Sequence, residues 1–346
     1  MSRGWFVMEK KLNVAIIGCG YWGPNLIRNF YSNPDCEVKY VCDKDEGRLN
    51  HIVSLYPKIQ TTTETSVVFD DDEVDAVVVA TQVNMHYELA RQSLMASKHT
   101  FVEKPMAMSV KECDDLIALA GEKDLTLMVG HTFIYSSPVR KMKEIIDSGV
   151  IGKIQYISSR RLNLGLYQRD INVAWDLAPH DLSIILYLTG EKPASVNCQG
   201  KAHMNTGIED VTNITINFSN GGFAMVHSSW NDPIKNREMI VVGTQKMIFY
   251  DDIEPIEKIK IYDKRVEAPP YYDTYAEFHY SYHHGDVYIP LLKLVEPLKV
   301  EVQHFIDCIR NKTKSLSSGE NGREVIQILE AASQSLDQNG NAVFLN

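Results

Sequence analysis

The chain has no apolar run of about eighteen residues, the length a membrane-crossing helix needs, so no span is expected. Its first residues, Met1 to Met8, lack the long apolar core of a secretory leader, and Met8 is itself a candidate start. Positive charge is in deficit. Lys and Arg number 35 against 45 Asp and Glu, a net charge of −10, which argues against nucleic acid or an anionic membrane as the main partner. A local basic pocket for an anionic substrate is still compatible with that balance. Cysteine is scarce and unpatterned: positions 19, 36, 42, 113, 198 and 308 form no C-x-x-C pair and no zinc spacing. A reducing, cytoplasmic setting fits them, and the sequons at Asn213, Asn217 and Asn311 then carry no meaning. His279, His283 and His284 have a spacing that fits a helix, but they stand in a tyrosine-rich stretch without a closed ligand set. No metal is expected, and a loop at a subunit contact or substrate mouth is the better reading. No internal repeat or low-complexity linker is visible.

What the chain does have begins at Asn13-Val-Ala-Ile-Ile-Gly-Cys-Gly-Tyr-Trp-Gly23. Val14 to Ile17 reads as a buried strand, and Gly18-x-Gly20-x-x-Gly23 leads into a helix near Pro24. Gly18 permits the tight turn, Gly20 lets backbone approach a pyrophosphate, and Gly23 lets helix and strand pack closely. The helix N-terminus adds free N–H groups and a positive dipole end. A second apolar run, Val38 to Cys42, ends at Asp43, twenty residues beyond Gly23 (43 − 23). An acid there suits the ribose hydroxyls of NAD and repels a 2′-phosphate, so NAD is expected over NADP. A third run, Ala76 to Ala80, ends at Thr81.

Strand and helix patterns then alternate to about residue 130, which implies a parallel Rossmann sheet with right-handed crossovers. Thr81, Glu103 and His131 each follow a strand and should face one crevice. After residue 131 the texture changes. A helix over Pro138 to Asp147 precedes segments with strand alternation: 154–161, 195–202, 210–218, 223–229, 237–242 and 246–250. Residues 251–297 read as irregular, and Glu296 to Arg310 and Gly322 to Leu336 as closing helices. The expected fold class is α/β: a Rossmann domain over 1–130, then an α/β domain over 131–346 with an open, mostly antiparallel sheet and the closing C-terminal helices.

Two constellations carry chemistry. Glu103-Lys104-Pro105 lies at a strand end in the expected crevice, where an ammonium would lower the cost of an alkoxide forming as hydride leaves. Glu103 would orient Lys104 or hold the nicotinamide ribose, and Pro105 restricts the lysine backbone. The second is Trp175-Asp176-Leu-Ala-Pro-His180-Asp181, opening an apolar helix that Gly190 stops. A proline belongs in a first turn, so Pro179 dates the helix start to residues 175–178. Asp176 and His180 lie one turn apart on one face. On residues alone they read either as a histidine base with its carboxylate or as an N-cap and a core histidine.

Together these residues resemble the glucose–fructose oxidoreductase / inositol dehydrogenase (Gfo/Idh/MocA) family over essentially the full length. The match rests on Gly18 to Gly23, Asp43, Thr81 to His86, Glu103-Lys104-Pro105 and Asp176-x-x-x-His180. Many relatives carry proline where this chain has Gln82. The resemblance implies an NAD-dependent oxidoreductase acting on a sugar or cyclitol carbinol, and a homodimer or homotetramer. It implies Lys104 and His180 as the catalytic pair with Asp176 positioning substrate or base. It also implies cofactor contacts from Gly18, Gly20, Tyr21, Trp22, Gly23, Asp43, Thr81, Asn84, His86, Glu103 and Lys104. Substrate contacts would come from Tyr135, Arg160, Arg161, Asn163, Trp175, Asp176 and His180. Non-catalytic NAD sensors occur in the family, but retention of Lys104, Asp176 and His180 speaks for an enzyme.

Strand alternation sends Arg160 and Arg161 to opposite faces, so one of them should look into the crevice, where arginine suits phosphate or carboxylate. With the Trp175 to Asp181 stretch, this resembles the nucleotide-sugar 3-dehydrogenase branch. C3 of a UDP-N-acetylhexosamine or its uronate is therefore the expected site, with a free sugar or myo-inositol as the alternative. Asp43→Ala should weaken NAD binding and relax discrimination against NADP. Paired titrations with the two cofactors check this, and an unchanged preference would assign the ribose reading to another residue.

Overall fold

The computed structural model describes residues 10–267 and 280–345. Six parallel strands make the first sheet: β1 (Leu12–Ile17), β2 (Cys36–Cys42), β3 (Gln60–Thr62), β4 (Ala76–Val79), β5 (His99–Glu103) and β6 (Leu127–Gly130). Their spatial order is β3-β2-β1-β4-β5-β6. The helices between them are α1 (Gly23–Tyr31), α2 (Glu46–Leu55), α3 (Thr65–Phe69), α4 (His86–Met95) and α5 (Val110–Glu122). Covered on both faces, β4 and β6 are buried along their whole length, which is why they read as unbroken apolar runs. The strand order reverses between β1 and β4, and a ligand crevice opens beyond the carboxyl ends at such a point. Gly18, Thr81 and His131 follow β1, β4 and β6, and Glu103 closes β5.

The next helices are α6 (Ser137–Asp147), α7 (Val173–Thr189), α8 (Pro297–Asn311) and α9 (Gly319–Asp337). The second sheet has nine strands: β7 (Ile154–Leu164), β8 (Pro193–Lys201), β9 (Val211–Phe218), β10 (Phe223–Ser229), β11 (Asn231–Gly243), β12 (Met247–Asp251), β13 (Ile259–Glu267), β14 (Ser281–Tyr288) and β15 (Val343–Phe344). Their order is β14-β13-β12-β11-β7-β10-β9-β8-β15. All pairings are antiparallel except β10 with β7. The β9–β10 hairpin turns at Asn220, whose Oδ1 accepts from Gly222 N, with Gly221 at φ +84. The expected α/β class, a parallel Rossmann sheet plus a mostly antiparallel one, is what the chain adopts.

The described residues divide into two compact units. One runs to Thr132 and includes Glu296–Ile326; the other comprises Phe133–Val295 and the residues from Gln327. Helix α8, which chain order assigns to the second domain, thus belongs to the first unit. The cause is aromatic. Phe305 on α8 meets Phe101 of β5 at 5.7 Å and Phe30 of α1 at 6.3 Å, both edge to face, in a fully buried trio.

Two local expectations are corrected. The stretch 251–297 contains β13 and β14, whose exposed polar and tyrosine side chains mask the strand pattern. His283 and His284 stand in β14 and point to opposite faces rather than sharing a helix face, while His279 lies outside the described residues. Helix α7 starts at Val173, ahead of the expected 175–178, because Asn172 caps it by accepting from Trp175 N at 3.2 Å. Pro179 therefore sits inside the helix, where it removes one backbone bond. Burial of Val173, Ala174, Ala178 and Leu182 offsets that loss.

Candidate active site

In the first unit the glycine turn is shaped by contacts that forbid side chains. Gly18 has φ +99, and a Cβ there would fall 2.5 Å from the Ala80 carbonyl oxygen. A Cβ on Gly23 would fall 2.3 Å from the Gly18 carbonyl oxygen. At Gly20 the nearest atom would be Arg48 Nη1, 3.6 Å away, so the space over this residue is open. A cavity of about 440 Å³ lies beside it, lined by Cys19, Gly20, Pro24, Asp45, Arg48 and His51 among others. Asp43 closes the turn: its Oδ2 accepts from Cys19 N at 2.7 Å and its Oδ1 from Asp45 N at 2.9 Å. Burial acts to raise the Asp43 pKa, yet these N–H groups hold it below the ordinary carboxylate value, so it stays an anion. Arg48 Nη1 stands 3.8 Å from it, a neighbour that spacing alone does not reveal. An open glycine, a helix N-terminus and a fixed anion at the strand end fit an NAD pyrophosphate and adenosine ribose.

Beyond β4 and β5 the candidate residues separate in kind. His86 is buried, with Nδ1 2.8 Å from the Pro105 carbonyl and Nε2 3.1 Å from the Thr81 carbonyl. Both ring nitrogens are engaged. His86, expected at the cofactor, uses them to tie the Glu103-Lys104-Pro105 segment to the turn after β4. Tyr21 is 97% exposed and Asn84 is exposed, so these side chains are available at the surface of the unit, whereas the Trp22 side chain hydrogen-bonds the Glu103 carboxyl. Lys104 is partly buried.

Glu103 lies under Gly130, its register partner on β6, where a Cβ would come within 2.9 Å of the carboxyl. Glycine there makes room for the acid. Burial pushes the Glu103 pKa up to about 7, against the pull of Lys104. Two further buried groups belong with it: His131, which the strand pattern assigns to the crevice but which is buried, and Glu301, which the sequence pattern does not connect with the site. Burial, helped by Lys104, holds His131 down to about 3, so it is a neutral imidazole. Glu301 on α8 is fully buried, and its Oε2 accepts from Thr132 Oγ1 at 2.7 Å. Glu301 lies three residues after Leu298 and four before Phe305, on the apolar stripe of α8, and that was the available signal.

In the second unit, Asp176 and His180 both project from the first turns of α7. Trp230 Nε1 donates to Asp176 Oδ2 at 3.0 Å, and the Phe133 ring meets the His180 ring at 4.9 Å, edge on. Trp175 Nε1 donates to Ser333 Oγ at 3.0 Å, so its polar end is committed to α9. Tyr135 is buried, and Asn163 is half-buried against Gly165. Arg161 is also buried. It makes a two-pronged bond to Asp181 on α7, Nε to Oδ2 at 2.8 Å and Nη2 to Oδ1 at 3.0 Å, and lies 4.8 Å from the Phe133 ring centre. The arginine expected to read a substrate anion therefore holds α7 against β7 and backs the ring beside His180. Arg160, on the opposite face of β7 from Arg161 and hence from α7, is exposed. Neither arginine stands with Asp176 and His180.

Among the described residues no group of His, Cys, Asp and Glu could hold a metal ion, and no helix is long and apolar enough to cross a membrane. The parallel sheet, its glycine turn and the fixed acid define a dinucleotide-binding unit. Residues 12–131 match the oxidoreductase family with an NAD-binding Rossmann fold, and residues 139–249 match the GFO/IDH/MocA C-terminal domain. The chain belongs to this family of NAD-binding oxidoreductases, whose relatives include dehydrogenases of sugars and cyclitols. It is 26% identical to 2,7-anhydro-N-acetylneuraminate hydratase of Escherichia coli (strain K12), over 72% of this chain and 70% of that one. It is 23% identical to myo-inositol 2-dehydrogenase of Thermotoga maritima, over 94% and 97%. Its fold is shared by UDP-N-acetylglucosamine 3-dehydrogenase GnnA from Acidithiobacillus ferrooxidans, with TM-score 0.78, 22% identity and coverage of 95% and 99%.

Two predictions test this local physics. Arg161→Met should destabilise the second unit by about 3–5 kcal/mol by stranding a buried carboxylate, and Arg161→Met with Asp181→Leu should recover most of that loss. Urea titrations of the single and double variants check it. The second concerns Glu103, whose carboxyl keeps its proton up to about 7 in the native state but loses it near 4.3 unfolded. Between those values the unfolded chain binds fewer protons, so this contribution to stability is present in full at acid pH and lost as pH rises through about 7. Glu103→Gln should therefore raise Tm relative to the parent at about pH 8 and lose that advantage near pH 4.

Proposed function

We propose that the chain moves hydride between NAD and a secondary carbinol of a sugar or cyclitol, with Lys104, Asp176 and His180 as the reacting side chains. The observation that carries this is Lys104 at the carboxyl end of β5, flanked by buried Glu103, on the same sheet edge as the dinucleotide turn. Bound NAD supplies the hydride acceptor. His180 takes the hydroxyl proton, and Lys104 places an ammionium-type charge where the alkoxide forms. Asp176, oriented by the Trp230 indole N–H, sets the substrate or the imidazole in position. Phe133 against one edge of the His180 ring and Arg161 behind Phe133 limit how that ring can turn.

For the substrate, similarity of the Trp175 to Asp181 stretch to the nucleotide-sugar branch supports C3 of a UDP-N-acetylhexosamine or its uronate. A specific observation favours a second reading, a free sugar or inositol: Arg161 is spent on Asp181, and Arg160 lies on the other face of β7. That removes the anion-binding half of the nucleotide-sugar argument. Self-association as a homodimer or homotetramer and a cytoplasmic location belong to the same proposal.

The deciding experiment follows NADH absorbance with UDP-sugars, free sugars and inositols. Lys104→Ala and His180→Ala should each lower kcat by about 100–1,000-fold while NAD still binds. Near-normal turnover in Lys104→Ala would end the assignment. Turnover confined to uridine-linked sugars would select the first substrate reading, and turnover on free sugars or inositol the second.

A further inference from the structure

Four buried polar atoms gather behind Lys104 in the first unit without a hydrogen-bond partner: Glu103 Oε1, Glu301 Oε1, and both ring nitrogens of His131. Glu103 is 8% exposed, His131 1% and Glu301 0%. They form one cluster. The Glu103 carboxyl sits beneath Gly130, next to His131 in the chain, and Thr132, next again, hydrogen-bonds Glu301. Each carboxylate feels the other or Lys104, and His131 feels Lys104. Buried polar groups are ordinarily satisfied, and two buried carboxyls that sense one another cannot both ionise cheaply.

The two acids are not equivalent. Glu103 feels the positive charge of Lys104, accepts from Lys104 N at 3.2 Å and is hydrogen-bonded by the Trp22 side chain. Glu301 has the neutral Thr132 hydroxyl as its hydrogen-bond donor, and the charge that acts on it is the negative one of Glu103. The charged group that acts on Glu103 is Lys104, and the buried imidazoles of His131 and His86 feel Lys104 in turn. His131 is held neutral and supplies no counter-charge to Glu301.

We propose that Glu301 is a positioning residue: as a neutral carboxylic acid it leaves the single negative charge of the pair on Glu103, where it faces Lys104. An ionised Glu301 would push that charge off Glu103 by repulsion and leave Lys104 without its counter-ion. The consequence for turnover rests on the role proposed above for Lys104, whereas the location of the proton does not.

Isotope-edited infrared spectra of the full chain, without cofactor, read the neutral carboxyl stretch directly. At about pH 8 the parent should show one neutral glutamic acid band, absent in Glu301→Gln and retained in Glu103→Gln. A second band should grow as pH falls through neutrality and be absent in Glu103→Gln. In Glu301→Gln, where a neutral amide replaces a neutral acid, its midpoint should stay within about half a unit of the parent. A fall of about one unit or more in that midpoint would mean Glu301 had been an anion and would overturn the proposal. So would loss of the pH 8 band in Glu103→Gln. If Glu301→Gln does not fold, the Glu103→Gln spectrum alone decides, since it must keep the Glu301 band. With substrate and NAD, the acid limb of kcat/KM should follow the midpoint of the second band. Bands that behave as stated beside a limb that does not follow them would reject the role of Lys104 and leave the proton on Glu301.

Discussion

The first unit depends on backbone approaching backbone more closely than any side chain allows. At Gly18 and Gly23 a Cβ would overlap carbonyl oxygens, so β1 can turn into α1 only with glycine at both places. That turn aims the N-terminus of α1 and seats Phe30 on Phe101 and Phe305. Phe305 in turn fixes α8, and one helical turn before it α8 carries Glu301 into the core. The tight turn and the buried acid are thus linked by a chain of packed side chains. Gly130 repeats the device on β6, giving up its side chain so that Glu103 can occupy the space.

The second unit is organised by charge inside an apolar setting. Arg161 and Asp181 are each almost fully buried, and their paired bonds join β7 to α7. Such a pair contributes geometry more than net stability, because desolvation offsets most of the attraction. What it specifies is the rotation of α7, and hence where Asp176 and His180 emerge. Trp230 fixes Asp176 from β10's end of the same sheet, and Phe133, stacked on the arginine, flanks His180.

Much of this was legible in the residues. Unbroken apolar runs gave the parallel strands, the glycine spacing gave the turn, and Asp43 lay where a ribose-reading acid belongs. Periodicity failed where side-chain character ran against it. In β13 and β14 the exposed tyrosines and charges hide alternation, and Pro179 suggested a later start for α7 than its Asn172 cap allows. His86 is expected at the cofactor from the family resemblance, and Arg161 at the substrate from strand alternation and arginine's fit to anions. Their partners, the Pro105 and Thr81 carbonyls and the Asp181 carboxylate, show where their bonds go instead.

Local residue order is enough for what neighbouring residues decide: the strand–turn–helix that suits a dinucleotide, the lysine at a strand end, and an acid and a histidine one helical turn apart. Those follow from periods of two and 3.6 and from the conformational range of glycine, all local properties. Which charges are spent internally and which acids are buried depends on how distant segments pack. A carboxyl's protonation is set by groups brought from far along the chain, as Glu301 is brought to Glu103 across 198 positions (301 − 103). No local pattern records that distance, because burial and pairing arise when segments meet.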